Sequence, residues 1–154
     1  MEVYRLVRKK YALPLSGKGA AIKGGRWNSP GFELIYTAEN RSLAMAEVAV
    51  HLTLGTIPSD YLMLTIFIPD DLPYSKIFDS DLADGWKDFP HPAFTQKIGD
   101  RFIIEASHCL LFTPSAITQG DYNVLINPNH QGFKRVSVVK SEPFPMNKRV
   151  FKIK

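Results

Sequence analysis

The stretch from Glu33 to Pro69 constrains the fold most, because its hydrophobic period changes twice within it. FELIYT alternates, with Leu34 and Tyr36 on one face and Ile35 on the other, as a strand does. From about Ser42 to Leu54 the period becomes helical, with Ser42 as N-cap and Gly55 as a stop before Pro58. Leu43, Val50 and Leu54 share one face of this helix, and Met45, Val48, Leu52 and several alanines cover most of the rest. YLMLTIFIP then reads as a core strand. A helix apolar on most sides has to be covered, and the neighbouring strands are its natural cover. The chain is therefore expected to be α+β: a single compact domain over residues 1–154, with mixed β-sheet and flanking helices.

The rest of the chain fits that frame. VYRLV opens as a short strand, and Pro14 to Gly31, with five glycines, reads as a long loop with unusual backbone angles. Pro69 to Pro92 reads as irregular and TQKIGDRFIIEAS as a second helix. CLLFTP and FKRVSVVKS read as strands, with SAITQGDYNVLINP as an ordered loop between them. The strands form one sheet or two small packed ones. There is no internal repeat or linker-like tract.

Composition narrows the function classes. Of 154 residues, 45% are hydrophobic and 22% charged, enough for a packed core, so disorder is a poor default. MEVYRLVRKK lacks the form of a signal peptide and no apolar run is long enough for a membrane span, so a soluble cytoplasmic protein is expected. The single cysteine, Cys109, lies in the apolar run CLLF and reads as a buried thiol. A net charge of +4, spread along the chain, permits nucleic-acid binding without indicating it; a small anionic substrate or an acidic protein partner would suit it equally. His51, His91, His108 and His130 show no metal-ligand spacing, so no metal is expected.

Two segments carry unusual chemistry. Glu47 lies one turn after Leu43 within a mostly apolar helix, where an ionised carboxylate is costly unless something pairs with it. It either serves chemistry or turns to the rim to meet His51 or a buried arginine. In KGGRWNSPG, two glycines allow close backbone approach, Arg26 supplies a planar charged fork and Trp27 a large stacking surface, which suits a phosphate joined to an aromatic base. The plainer reading is a glycine-hinged turn with Trp27 plugging the core and Arg26 in a salt bridge. Arg5 in the opening strand is a weaker signal, and Ser115, just after a strand, either faces a pocket or caps a turn.

In order, YRL, GGRWN, the strand ending in Tyr36, SLAMAEVAVHL, TQKIGD, TPSAI and NVLINP resemble the landmarks of the RES family of bacterial toxins, from Tyr4 to Arg149. The family takes its name from an arginine, a glutamate and a serine, which map onto Arg26 or Arg5, Glu47 and Ser115. Near the end, Asn147 stands where the family pattern has an acidic residue. The resemblance implies an ADP-ribosyltransferase-like fold and cleavage of the nicotinamide–ribose bond of NAD, by hydrolysis or phosphorolysis, with transfer of ADP-ribose to a protein as the alternative. NAD is then a substrate, and no further cofactor is expected. The resemblance assigns Arg5 and Arg26 to the phosphates or ribose, with Trp27 beside them, and Tyr36 to the nicotinamide. It assigns Glu47 to the ribose hydroxyl and developing cation and Ser115 to polar positioning, with Asn123 and Asn127 as weaker pocket residues. It also implies an Xre-type antitoxin as protein partner, no direct nucleic-acid binding, and leaves a homodimer open. Two rivals from other classes are a ribonuclease toxin, which would need a histidine-based acid and base, and a non-catalytic NAD or ADP-ribose binding module, to which Glu47 would be of no use.

Overall fold

The computed structural model describes residues 1–52 and 57–151. Its strands are β1 (Glu2–Arg8), β2 (Ile35–Ala38), β3 (Tyr61–Phe67), β4 (Tyr74–Lys76), β5 (Leu110–Pro114), β6 (Tyr122–Ile126) and β7 (Ser137–Pro143). They form one seven-stranded sheet in the order β4-β5-β6-β2-β1-β3-β7. All pairings are antiparallel except β4 with β5. Among the described residues three α-helices accompany it: α1 (Lys18–Lys23), α2 (Arg41–Ala49) and α3 (Ala93–Glu105). The α+β expectation holds, with one sheet in place of two small ones.

The register sorts side chains onto two faces, because residues paired across strands point to the same side. One face carries Val3, Ile35, Leu64, Ile66, Val124 and Ile126, which form a single apolar cluster. The other carries Leu6, Ala38 and Met63, packed with Leu43 and Ala44 of α2. Further along that face, Leu111 and Leu125 pack with Phe102 and Ile103 of α3 and with Trp27 and Trp86. Both long helices therefore lie on one face, α2 towards β1 and β3, α3 towards β5 and β6. The ground between them is floored by the outward positions of β2, β5 and β6.

Several elements differ from the sequence reading. β6 lies in the middle of the sheet, inside what reads as the loop from Ser115 to Pro128; its VLI is buried on both faces and so shows no alternation. β4 adds an edge strand inside the irregular stretch, and α1 occupies part of the glycine-rich loop. The helix at 42–54 is shorter: the side chain of Asn40, not Ser42, caps it, accepting from the Leu43 N–H at 2.8 Å. It ends at Ala49, so Val50 leaves the apolar face and is exposed; Leu54 and Gly55 lie outside the described residues. In FKRVSVVKS the first three residues belong to a 3-10 turn, and the strand starts at Ser137. Cys109 is fully buried, and burial pushes its thiol up to about 11, which makes it inert at neutral pH. No described helix is long and apolar enough to cross a membrane.

Candidate active site

The site is built around the segment Gly24–Ser29, which a dense set of short contacts holds in place. α1 ends at Gly24 with φ of 73°, where a Cβ would also meet the Pro30 ring at 2.9 Å. At Gly25 a Cβ would lie 2.7 Å from the Tyr36 hydroxyl, so that approach needs glycine. Fully buried Asn28 donates to the carbonyls of Ala20 (2.8 Å) and Phe32 (3.0 Å), and its Oδ1 accepts from Tyr36 Oη at 2.6 Å. The Tyr36 oxygen in turn accepts the Trp27 N–H at 3.1 Å. Burial raises the Tyr36 phenol far above its ordinary value, so it stays protonated and keeps this network intact.

One face of α3 grips the same segment from the far side. Gln96 Nε2 donates to the Gly25 carbonyl at 3.0 Å, and Asp100 accepts from the Ser29 N–H (2.8 Å) and Ser29 Oγ (2.6 Å). Between them Gly99 lets the helix backbone touch that of Trp27: a Cβ there would lie 1.5 Å from the Trp27 carbonyl oxygen. Spacings of three and four residues put Gln96, Gly99 and Asp100 on one helical face, which gives the motif TQKIGD its physical role.

Arg26 emerges from this clamp. Its Nη1 donates to the carbonyls of Trp86 (2.6 Å) and Asp88 (3.0 Å), which aims the guanidinium while leaving its other donors free among the described residues. Burial works against its charge, and the fields of Glu47, Tyr36 and Asp88 favour it, so Arg26 and Glu47 face a common space. They do not close into a direct ion pair.

Glu47 projects from α2 into that space. Ser115, set by the end of β5, donates from Oγ to Glu47 Oε1 at 3.1 Å. Ser115 Oγ itself accepts the N–H groups of Ile117 and Thr118, both at 3.0 Å. Ser115 thus caps a turn and also orients the carboxylate. Asn123, paired with both Ala38 and Thr113, lies on the same side of the sheet, and its amide donates to the Thr37 carbonyl at 3.4 Å. Burial raises the Glu47 pKa, and the Ser115 hydrogen bond, the neighbouring Asn123 amide and the fields of Arg26 and His51 only partly offset it. Any reaction that needs the carboxylate will fall off as pH drops through this raised value. The acid limb of a kcat/KM–pH profile, which reports the free protein, should therefore lie above the ordinary 4.5; a limb at or below that value would contradict the buried setting.

Arg26, Tyr36, Glu47, Ser115 and Asn123 are therefore brought together, and three other expected residues lie elsewhere. Arg5 pairs with Leu64, so it starts on the opposite face of the sheet, and its Nη1 donates to the Ser16 carbonyl at 3.0 Å. Trp27 is 3% exposed, with its ring against Trp86 at 6.1 Å between centroids, as the core-plug reading has it. Asn127 is fully buried, donating to the Ile103 carbonyl at 3.2 Å and accepting from Asn129 N–H at 2.9 Å. The α3 clamp and His91, which lies in the field of Arg26, received no role from the sequence. For the clamp, the spacing of Gln96, Gly99 and Asp100 was the available signal. Among the described residues no group of His, Cys, Asp or Glu is arranged to hold a metal.

Comparison with known proteins gives a consistent result. The family model of the RES domain matches residues 2–147. "Toxin Res" of Photorhabdus laumondii is 37% identical over all of this chain and 99% of its own. "Prs ADP-ribosylating toxin" of Sphingobium sp. is 35% identical over 82% of this chain and 80% of its own. A chain of the M.tuberculosis MbcT-MbcA toxin-antitoxin complex superposes with a TM-score of 0.71 at 20% identity, covering 97% of this chain and 86% of that one.

Proposed function

The chain belongs to the RES domain family, and on that premise we propose that it is the toxin of a toxin–antitoxin pair, an enzyme that breaks the nicotinamide–ribose bond of NAD in the cytoplasm. The observation that carries the reading is the meeting of Glu47 with Ser115 at 3.1 Å, on ground that Arg26 and Tyr36 also face. In the reaction the bond between ribose C1′ and the pyridinium nitrogen breaks, its electron pair leaves with nicotinamide, and the ribose becomes oxocarbenium-like. Glu47, kept ionised by Ser115, Asn123 and Arg26, places negative charge where the cation develops, and strengthens as charge grows. Arg26 offers its free donors to the diphosphate, where a planar fork binds two oxygens. Tyr36 has its hydroxyl engaged by Asn28 and Trp27, so its part is to supply a fixed wall beside the nicotinamide.

Water or phosphate then adds to C1′. The alternative acceptor is a protein side chain, the reading favoured by the name of the Sphingobium relative. The partner is an antitoxin, of the Xre type, consistent with the complex in which the structural neighbour was solved. Incubating the protein with NAD, with and without phosphate, and separating the products tests the reading. Free nicotinamide is expected in both, with ADP-ribose where phosphate is absent and its 1″-phosphate where phosphate is present; nicotinamide released only when a target protein is added would favour transfer, and intact NAD throughout would overturn the proposal.

A further inference from the structure

His91 stands in the loop that leads into α3, and its Nδ1 is buried with no hydrogen-bond partner among the described residues. Buried polar atoms left without partners are uncommon, and one at the edge of a site points to a group that arrives with a ligand. The ring is braced by Phe89, edge-on at 5.2 Å and 89°, and Phe89 itself is 77% exposed. His91 as a whole is half-buried, so it does not sit in the core. The segment that carries it is the one whose Trp86 and Asp88 carbonyls hold Arg26.

The charges that face the imidazole come from two other elements: Arg26 from the glycine-rich segment and His51 from the turn after α2. Burial first, then Arg26 and His51, lower the His91 pKa from its ordinary 6.5, so the free protein holds it neutral at pH 7. Arg26 is faced in turn by Glu47, Tyr36 and Asp88, and Glu47 is already engaged by Ser115. Arg26 thus has free donors and acts on a ring whose Nδ1 is unpartnered, and no described carboxylate is hydrogen-bonded to either.

We propose that His91 and Arg26 together hold a phosphoryl anion, with His91 taking up one proton from solvent as the anion binds and donating it from Nδ1 to a phosphoryl oxygen. The inference rests on the NAD reading for its natural ligand, the substrate diphosphate, while free phosphate offers the same chemistry. The anion raises the imidazole pKa above its value in the free protein, so binding tightens as pH falls through the bound-state pKa and levels off below the free-state one. Binding and turnover then respond to acid in opposite directions, since kcat needs ionised Glu47.

The test is calorimetric titration of ADP-ribose, and separately of inorganic phosphate, into the wild type and His91→Gln at about pH 6 and about pH 8, in buffers of different ionisation heat. For the wild type the expected result is ADP-ribose affinity about tenfold higher at the lower pH, the worth of one charge-assisted hydrogen bond, with proton uptake. His91→Gln should bind equally at both pH values, with no uptake. Phosphate showing the same His91-dependent uptake would support the site as one for free phosphate as well; uptake with ADP-ribose alone would assign it to the diphosphate. A variant that keeps the pH dependence, a wild type that binds without proton uptake, or a wild type that binds neither ligand would overturn the proposal. ADP-ribose binding with His91-dependent uptake but no consumption of NAD would leave this site standing and remove the cleavage reading instead.

Discussion

Glu47→Gln is expected to lower NAD cleavage by about a hundredfold to a thousandfold, the loss of about 3 to 4 kcal/mol from one well-placed electrostatic group, with no loss of thermal stability. Glutamine keeps the volume and one carbonyl to accept from Ser115 Oγ, which donates to Glu47 Oε1 in the wild type. What it cannot do is oppose a growing positive charge on the ribose. Stability should hold or rise. Because burial raises the Glu47 pKa, the folded state disfavours the ionised form above that value, and a neutral amide removes the penalty. NAD consumption and melting temperature measured together decide the matter. A variant that melts normally and still turns over at the wild-type rate would remove Glu47 from the mechanism, and one that unfolds would make its role structural.

Gly99→Ala should fail in the opposite way, losing stability and activity together. A Cβ at Gly99 would lie 1.5 Å from the Trp27 carbonyl oxygen and 2.5 Å from its carbon, and both are backbone atoms that no rotamer change can move. The helix or the segment from Gly25 to Ser29 has to shift, and with either shift go the Gln96–Gly25 and Asp100–Ser29 hydrogen bonds. Overpacking of a tight contact costs about 3 kcal/mol or more. For a chain of this size that is a fall in melting temperature of roughly 6 to 12 °C. Arg26 sits inside the displaced segment, so whatever protein remains folded should bind NAD poorly. An alanine variant with wild-type melting and activity would show that α3 does not clamp the loop.

These two positions also mark what the sequence made legible. Glu47 was visible because a carboxylate in an apolar helical pattern is a local anomaly, and its strand–helix–strand setting was visible through the change of period. Gly99 was not, because its meaning lies in a contact with a residue 72 positions earlier in the chain. β6 was missed for a related reason: a strand buried on both faces shows a short apolar run without alternation, and Asp121 and Pro128 at its borders read as loop. Tyr36 illustrates a middle case. The resemblance put it beside the nicotinamide, while its hydrogen bond to Asn28 at 2.6 Å turns part of its chemistry inward, to fix the loop that presents Arg26. Arg5 was placed with the site by resemblance, whereas the parity of β1 starts it on the opposite face; in a strand that parity is readable only once the register is known.

Cleavage by Glu47 is tested most simply by the release of free nicotinamide from NAD over time by purified wild-type protein, with the Glu47→Gln protein at the same concentration alongside. Many turnovers are expected from the wild type and a rate lower by about two to three powers of ten from the variant. Equal rates for the two proteins, or no nicotinamide from the wild type, would contradict it.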